Sequence, residues 1–406
     1  MKNKYEVLSP AGDLECLKSA VNFGADAVYL AGTQFGMRTA SKNFSKEDMA
    51  KGIEYAHSKG VRVHVTCNVL PRSYELDSLP EFMQTVQDLG ADAFIIADLG
   101  VLDIAKKYAP KVEIHASTQT GIVNYATANV LYNMGVKRVV LARELSIPEI
   151  AEIRKNTPED LEIETFVHGS MCVSFSGRCL ISSYMTGRDA NRGDCAQPCR
   201  WKYHLYEENR EGQFFPIEQD DSGTYLYNSR DLCMIEHIPE LLEAGVTSLK
   251  IEGRAKSAYY TSVVTNAYAG AVREYEKSPE KYILPQWAKD EVYKVSHREY
   301  STGFFMGGEP GQATQSGGYI REYDVVAVCE KSSENGVCEI TQRNKFFVGD
   351  TLDILAPNAP SFETKALEIV NESGEVVEST PHAMEKLFLK TDSDIPKGAF
   401  LRKKRS

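Results

Sequence analysis

The chain concentrates its cysteines in one stretch. Nine cysteines occur in 406 residues, and four of them, Cys172, Cys179, Cys195 and Cys199, lie close together; a fifth, Cys233, follows. The residues around them are mainly glycines, serines and charged types, which is typical of a loop folded around a bound group. Thiolate sulfur is a soft ligand that suits iron–sulfur clusters and zinc. The pattern therefore predicts a thiolate-bound metal, with an iron–sulfur cluster favoured.

Other interpretations of these cysteines stay open. Zinc ribbons usually carry closely spaced cysteine pairs, and only Cys195 and Cys199 approach that spacing. Disulfides need an oxidising compartment, whereas the first residues run straight into a predicted strand with no room for a signal peptide. A catalytic thiol would pair Cys172 with the nearby His168. Plain burial is the remaining alternative.

The cysteine stretch is a basic island in an acidic protein. The formal net charge of −11 at pH 7 disfavours a surface coated with nucleic acid. Between residues 170 and 204, however, five cations accompany only two acids, Asp189 and Asp194, which leaves a local excess of +3. The excess fits either an RNA-facing surface or scattered solvated side chains. The five cations are Arg178, Arg188, Arg192, Arg200 and Lys202.

The first part of the chain alternates short apolar segments with helical patterns. A repeated motif, a glycine followed by a short apolar strand, begins at Gly24, Gly90, Gly135 and Gly245. Four further strands are predicted at 6–9, 61–68, 111–117 and 161–168. Eight strands alternating with helices predict an α/β fold, a closed (β/α)8 TIM-like barrel, with a doubly wound open sheet as the alternative. The predicted helices are 13–23, 46–59, 76–89, 100–109, 124–134, 147–156, 235–244 and 257–276.

A barrel would bring the polar residues that follow its strands to one mouth. The cysteine loop leaves strand seven at that mouth. Strand eight begins only near residue 246, so this connection is much longer than is usual between barrel units. Arginine presents a planar fork that suits carboxylate or phosphate, so Arg143 and Arg254 predict an anion site. Ion pairs with Glu144 and Glu252 are the alternative. The candidate mouth residues are Asn68, Gln119, Arg143, His168, Glu252 and Arg254.

The pattern changes after about residue 280. Short strands joined by glycine and asparagine turns predict a small all-β barrel or sandwich over 316–406. We thus predict a barrel over 1–280 that contains a cysteine-rich loop at 170–234, and a linker with a short helix over 281–315. The closing run Arg402–Arg405 is interpreted as a solvated tail, with phosphate contact as the alternative. No apolar run approaches bilayer length, which predicts a cytoplasmic protein without membrane partners.

The chain resembles the collagenase-like peptidase family U32. The likeness is carried by Glu164–Tyr184 and Asn191–Trp201, and it is supported by Leu8–Gly12, Gly24–Tyr29 and Lys250–Arg254. It covers nearly the whole chain, including the β domain of the longer members. Better-understood members are oxygen-independent RNA hydroxylation proteins with a [4Fe–4S] cluster. One branch makes 5-hydroxyuridine at the tRNA wobble position and depends on prephenate, and another acts on ribosomal RNA.

The resemblance implies cluster ligands at Cys172, Cys179, Cys195 and Cys199, with Cys233 as a substitute fourth ligand. We predict an enzyme that hydroxylates the tRNA wobble uridine with prephenate, a small anionic metabolite. The alternatives are a peptidase with a cysteine nucleophile, hydroxylation of ribosomal RNA, and a zinc-stabilised RNA-binding scaffold without catalysis. The predicted roles are catalysis for His168 and Glu252, substrate binding for Arg143, Arg254, Asn68 and Gln119, and RNA binding for Arg188, Arg192, Arg200 and Lys202.

Overall fold

The computed structural model describes residues 4–36, 43–172, 179–190, 194–201, 219–220, 223–224, 230–308 and 319–405. In the first part of the chain the strands are β1 (Glu6–Pro10), β2 (Ala27–Ala31), β3 (Arg62–Cys67), β4 (Ala93–Ile96), β5 (Glu113–Ala116), β6 (Arg138–Val140), β7 (Glu162–Ser170), β8 (Gln219–Asp220), β9 (Gly223–Thr224), β10 (Asp231–Cys233) and β11 (Ser248–Ile251). The helices are α1 (Leu14–Asn22), α2 (Lys46–Ser58), α3 (Leu79–Asp88), α4 (Leu99–Tyr108), α5 (Tyr125–Asn133), α6 (Ile147–Lys155), α7 (Ile181–Thr186), α8 (Ile238–Glu243), α9 (Ala258–Lys277) and α10 (Gln286–Glu291).

Within the described residues, eight parallel strands form a closed barrel. Strands β1 to β7 pair in chain order, and β11 closes the ring by pairing with both β1 and β7. The predicted (β/α)8 fold is therefore confirmed. Several helices begin where a polar side chain satisfies their free backbone amides. Asp98 has this role before α4, because its carboxylate accepts hydrogen bonds from the amides of Gly100 and Val101 at 2.8 and 3.0 Å.

Three strands in this region were not expected from the sequence: the short antiparallel pair β8 and β9, and β10. Strand β10 lies at the end of the cysteine-rich loop and pairs antiparallel with the end of β7, with Cys233 opposite His168. It also pairs with β12 (Tyr300–Ser301), and α10 packs on α9. The segment 281–315, which we predicted as a linker, thus adds a helix and a strand to the barrel side. The predicted domain bounds themselves stay a prediction.

Two glycines let the ends of the barrel strands approach each other closely. A Cβ atom at Gly12 would lie 2.2 Å from the carbonyl oxygen of Arg254, and one at Gly169 would lie 2.6 Å from that of Glu252. Gly169 also has a φ of +107°, which side chains disfavour. Both glycines therefore fix the positions of the residues that follow β11, at the mouth of the barrel.

Replacement of Gly169 by alanine should reduce the free energy of unfolding by about 1–3 kcal/mol, because backbone strain and a backbone clash act together. Gly60→Ala is the matched control. Gly60 has a φ of +76°, but a Cβ atom added there would meet nothing within 4 Å. Only the cost of the left-handed backbone, about 1 kcal/mol, should then remain. Urea unfolding of both variants measures the difference, and equal losses would contradict the proposed clash.

The C-terminal part is an antiparallel β domain. Six of its strands close a ring in the order β15, β19, β13, β14, β18 and β16, with β17 beside β16. The all-β fold predicted for this part is confirmed. The strands are β13 (Tyr323–Glu334), β14 (Val337–Gln342), β15 (Thr351–Leu355), β16 (Phe362–Asn371), β17 (Val376–Val377), β18 (Lys386–Thr391) and β19 (Phe400–Lys404).

The closing basic run is part of this ring, so its interpretation as a solvated tail was wrong. Arg402 lies in β19 and is fully buried. Its guanidinium group pairs with Glu291 of α10 at 3.0 Å and with Asp353 of β15 at 3.3 Å, and it donates to the hydroxyl of Tyr259 at 3.1 Å. A charge run in the sequence does not reveal that one of its members has buried partners. Arg402 joins the β domain to the helices of the barrel.

Among the described residues, no helix is long and apolar enough to cross a membrane.

Candidate active site at the barrel mouth

The interior of the barrel holds charged side chains. Arg138 is 2% exposed and donates from Nε to Glu162 at 2.7 Å, from Nη1 to Glu164 at 3.0 Å and from Nη2 to Glu6 at 3.1 Å. A TIM barrel is usually filled by branched apolar residues. Buried charges are costly unless they are paired and hydrogen-bonded, and here the carboxylates surround the guanidinium group. The ion-pair network therefore fills the part of the barrel interior that apolar side chains usually fill.

The network continues towards the mouth through Lys250. Its Nζ lies 2.6 Å from Oε1 of Glu164, and 4.7 and 5.2 Å from the ring centres of Tyr29 and Phe166. Burial lowers the pKa of Lys250, although the attraction of Glu164 opposes this shift. The ammonium group is thus a buried cation held by one carboxylate and two aromatic rings. Sequence reasoning did not select Lys250.

Arg143 lies above one of the same aromatic rings. Its guanidinium carbon is 3.9 Å from the ring centre of Phe166, and Nη1 donates to the carbonyl oxygen of Ser170 at 3.1 Å. Ser170 is the last residue of β7, where the cysteine-rich loop begins. Arg143 therefore connects the cationic interior to the base of that loop. Arg254, buried as well, donates to the hydroxyl of Thr66 on β3 at 3.3 Å.

His168 does not join these cations in the interior. Its ring lies among Tyr260 and Tyr268 of α9 and Tyr300 of β12, with ring centres 5.3 to 6.1 Å away. The register of β7 against β11 shifts between Phe166 and His168, and such a bulge turns the following side chain to the other face. Burial, followed by the repulsion of His297, lowers the pKa of His168 to about 3. The imidazole is therefore neutral at pH 7.

The other predicted mouth residues lie around this site. Glu252 is buried; its backbone amide donates to the carbonyl oxygen of His168 at 2.8 Å, and its carbonyl oxygen accepts from Tyr260 at 3.0 Å. Asn68 directly follows β3, and Gln119 lies in a 3₁₀ turn after β5. Both side chains are half-buried. All three residues thus follow barrel strands at the mouth, and their predicted roles stay predictions.

The four clustered cysteines are reduced thiols in the loop that begins at the mouth. Cys172 and Cys195 are exposed, and Cys179 and Cys199 are half-buried. The amide of Ile181 donates to Sγ of Cys179, and the amide of Gln197 donates to Sγ of Cys195, both at 3.4 Å. Amide hydrogen bonds to sulfur stabilise the thiolates that ligate clusters. The type and setting of these donors fit the expected cluster.

The two halves of the cysteine loop contact each other. The amide of Ala196 donates to the hydroxyl of Ser182, a buried residue of α7, at 3.0 Å. Among the described residues, however, no three histidine, cysteine or acidic side chains are arranged to hold a metal ion. The cysteines are separated along the chain by residues 173–178 and 191–193, which lie outside the described ranges. The cluster is therefore inferred from the donor types and their place in the chain.

Cys233 has a different environment from the four loop cysteines. It lies on β10 opposite His168. Burial raises the pKa of its thiol to about 12, and the phenol of Tyr268 is a close neighbour. Binding of a metal deprotonates a coordinating thiol outright, so burial leaves Cys233 available as a ligand. Cys172, Cys179, Cys195 and Cys199 stay the predicted ligand set, with Cys233 as the substitute fourth ligand.

The predicted RNA-binding residues are described only in part. Arg188 pairs with Asp194 at 2.7 Å, and both side chains remain more than two-fifths exposed. Arg192 and Lys202 lie outside the described residues, as does the side chain of Arg200. The same loop exposes two aromatic residues that sequence reasoning missed, Tyr184 at 87% and Trp201 at 43%. Exposed rings beside cations suit the stacking of unpaired bases.

Two histidines in the barrel interior were also missed. The rings of His64 and His115 are fully buried and meet edge to face with centres 4.7 Å apart. Burial lowers the pKa of both well below the ordinary value of 6.5. The signal for such interior residues was present in the sequence. In Arg62–Cys67 the polar residues alternate with valines, the period that turns every second side chain inward.

The buried histidines should make the protein sensitive to acid. The unfolded chain takes up their two protons below pH 6.5 and the folded chain does not, so stability falls as the pH falls. Between pH 6.5 and 5.5 the two groups together should cost about 2 kcal/mol of unfolding free energy. The pKa of the buried His168 is lowered as well, so the measured loss exceeds that of these two groups. His115→Leu should reduce the measured loss by about 1 kcal/mol, whereas replacement of the exposed His382 should leave it unchanged. Urea unfolding at the two pH values measures it, and identical losses in all three proteins would refute the assignment.

Comparison with known proteins places this site in a family context. The sequence profile of Peptidase family U32 matches residues 12–315, and that of the Peptidase family U32 C-terminal domain matches residues 321–402. The first profile spans the barrel strands after β1, the cysteine loop and α10. The second spans the β domain up to β19. Both parts of the chain are therefore matched.

Three relatives illustrate the range of names in this group. The chain is 35% identical over 404 residues to tRNA hydroxylation protein P1 of Bacillus subtilis, covering 98% of this chain and 95% of that protein. It is 38% identical over 386 residues to an uncharacterized protease of Methanocaldococcus jannaschii, covering 91% and 92%. It is 38% identical over 266 residues to the 23S rRNA 5-hydroxycytidine C2501 synthase of Escherichia coli, covering 66% of this chain and 39% of that protein.

Proposed function

Because the chain belongs to Peptidase family U32, we propose that it is an RNA hydroxylase acting in the cytoplasm. Its substrate is the wobble uridine of tRNA, which it converts to 5-hydroxyuridine. A [4Fe–4S] cluster is its cofactor, and prephenate is its co-substrate. The likeness to tRNA hydroxylation protein P1 supports the choice of tRNA, because it extends over 98% of this chain. The likeness to the ribosomal RNA enzyme covers only 66% of it.

One observation carries the proposal. Two cations lie at the point where the cysteine loop begins: the buried Lys250 and the half-buried Arg143 both lie over the ring of Phe166, and Arg143 also donates to the last carbonyl of β7. A small dianion such as prephenate is bound strongly by such cations through charge-assisted hydrogen bonds to its carboxylates. The cysteine loop begins at this mouth, and Cys172 follows the end of β7 by two residues. The proposal therefore makes the anion site and the cofactor site neighbours, with Arg143 between them.

The residues have distinct tasks in this proposal. Arg143 and Arg254 bind the carboxylates of the co-substrate, while Glu164 holds Lys250 in place. The target base is extruded from the RNA to reach the mouth, as base-modifying enzymes require. Replacement of the C5 hydrogen by hydroxyl adds one oxygen atom and removes two electrons, so the reaction also consumes an oxygen donor and an electron acceptor. A [4Fe–4S] cluster held by Cys172, Cys179, Cys195 and Cys199 would supply single-electron transfer to that acceptor. Arg188 and its neighbours contact the RNA backbone.

The structure disfavours a peptidase that uses Cys172 and His168. A thiol protease needs an imidazole that accepts the proton of its nucleophile. The imidazole of His168 is enclosed by three tyrosines, and its pKa of about 3 makes it a very weak base. The name of the Methanocaldococcus relative is the main support for a peptidase. A thiol alkylator that abolished peptide cleavage while iron was absent would favour that alternative.

Deletion of the gene should remove 5-hydroxyuridine-type nucleosides from tRNA, and the wild-type gene should restore them. Arg143→Gln should restore less than about a tenth of the wild-type level, because a charge-assisted contact to a carboxylate contributes about 1.5–3 kcal/mol. Arg62→Gln is the matched control. Arg62 begins β3 at the opposite end of the barrel and pairs with Glu113. Nucleoside mass spectrometry measures the level, and unchanged modification after deletion of this gene and any paralogue would refute the proposed function.

A further inference from the structure

A groove separates the barrel mouth from the β domain. Its volume is about 620 Å³, within the range of nucleotide-sized sites. One wall is formed by residues 255–260 and the start of α1, and the other by the β domain and the residues that lead into it. The first wall begins one residue after Arg254. The groove therefore extends the proposed active site towards the β domain.

An exposed tyrosine lies in this groove close to two cations. Tyr319 is 44% exposed, and its ring centre is 4.8 Å from Nζ of Lys256 and 5.1 Å from the guanidinium carbon of Arg298. Lys256 also lies over Tyr260, at 5.3 Å. Cation–π contacts hold an aromatic ring in a fixed position. Tyr319 is thus a preordered ring that still faces solvent.

The charges that line the groove favour an anionic ligand. Lys256, Arg321 and Arg343 line it together with two acids, Asp13 and Glu15. The carboxylate of Asp13 accepts from the amide of Cys16 at 2.9 Å, and Glu15 faces Arg343 at 3.6 Å. Both acids are thus engaged within the protein, and so are two of the cations, because Arg343 pairs with Glu15 and Arg321 pairs with Asp324 at 2.6 Å. Three cations and two acids leave the lining with a net charge of +1.

The rim of the groove adds further positive charge. Tyr323 lines the groove, and the register of β13 with β19 places Lys404 opposite it. Lys404 of the closing basic run therefore borders the groove, whereas Arg402 is buried and Lys403 pairs with Asp350 at 2.7 Å. Cations combined with solvent-facing rings are typical of surfaces that bind single-stranded nucleic acid.

We propose that this groove binds a single-stranded RNA segment adjacent to the modified base. An unpaired base stacks on Tyr319, and Lys256 and Arg321 bind the phosphates on either side. The inference rests on the proposed function, since it names where the substrate RNA lies beyond the target base. It gives the β domain a role in substrate binding.

Binding of a short fluorescein-labelled oligouridylate to the full-length protein tests the proposal by fluorescence anisotropy. Tyr319→Ala should raise the Kd about tenfold, because loss of one base–aromatic stack has an effect of this order. Tyr319→Phe keeps the ring and should bind like wild type. The double variant Lys256→Gln/Arg321→Gln should show a weaker dependence of the Kd on salt concentration, by the amount expected for the loss of about two phosphate contacts. Tyr108→Ala is the control, because this exposed tyrosine ends α4 at the other end of the barrel.

The outcomes separate this proposal from the proposed function. Equal Kd values for wild type and a folded Tyr319→Ala protein would overturn the groove proposal, and so would equally tight binding of free uridine monophosphate. A preference for acidic peptide over oligouridylate would assign the groove to a protein partner and overturn it too. Nucleoside mass spectrometry on the complemented deletion strain reports the hydroxylase function independently. Restored modification combined with unchanged RNA binding by Tyr319→Ala would leave the function intact and refute only the groove.

Discussion

Cys195→Ala protein purified without oxygen should contain almost no iron or acid-labile sulfide. Wild-type protein should contain about four of each, since four cysteine thiolates hold a [4Fe–4S] cluster. The reason is local: Sγ of Cys195 accepts an amide hydrogen bond that stabilises a thiolate, and the residue is exposed at the loop that begins at the mouth. The visible absorbance of the cluster should vanish with the iron. tRNA from a strain with this variant should then lack 5-hydroxyuridine-type nucleosides.

Cys233→Ala is the control for this loss. Cys233 lies on β10 opposite His168 of β7, and the resemblance makes it only a substitute for the fourth of the loop ligands. Its replacement should therefore leave about four irons and four sulfides bound. Loss of iron in Cys233→Ala would instead make Cys233 a ligand. Zinc without iron in the wild-type protein would support the structural scaffold, and the absence of any metal would reopen the thiol peptidase.

The sequence predicted the barrel because four of its eight units repeat the same local signal. A glycine ends a helix, an apolar strand follows, and a polar cap such as Ser45 or Asp98 begins the next helix. Seven strands of the barrel pair in chain order, so local order also determines the topology. The cysteine loop was recognisable for a similar reason, because its residues lie close together in the chain.

The features that the sequence did not reveal depend on contacts between distant residues. Arg402 meets Glu291 and Asp353 only after the β domain has folded against the barrel. His168 was assigned to the mouth because it ends a predicted strand, and a single bulge turns its ring towards α9 instead. The groove at Tyr319 is formed by two parts of the chain that no local pattern connects. Prediction was therefore reliable for repeated local units and weak for residues defined by their partners.

Arg138→Met should cost about 3–5 kcal/mol of unfolding free energy, because it leaves buried carboxylates without their counter-charge. Arg138 is the common partner of Glu6, Glu162 and Glu164, and Glu164 in turn holds Lys250 beneath the mouth. The variant should also weaken activity, since Lys250 loses the fixed position of its partner. Arg62→Met is the matched control. Arg62 pairs with the half-exposed Glu113, and a surface pair contributes only about 0–1 kcal/mol.

The pH dependence of Arg138→Met distinguishes loss of charge pairing from loss of packing. In the wild type, Arg138 holds the pKa of Glu6 well below the ordinary value of 4.5 against the opposing effect of burial, so Glu6 stabilises the fold above that pH and this stabilisation is lost as the pH falls. In the variant, burial acts without the arginine and raises the carboxyl pKa, so the fold loses stability as the pH rises. The difference in unfolding free energy between the wild type and Arg138→Met should therefore be largest near pH 7 and should become smaller towards about pH 4. Urea unfolding across this range measures it; a constant difference would show that the arginine acts through packing, and the charge network would then have no role in positioning Lys250.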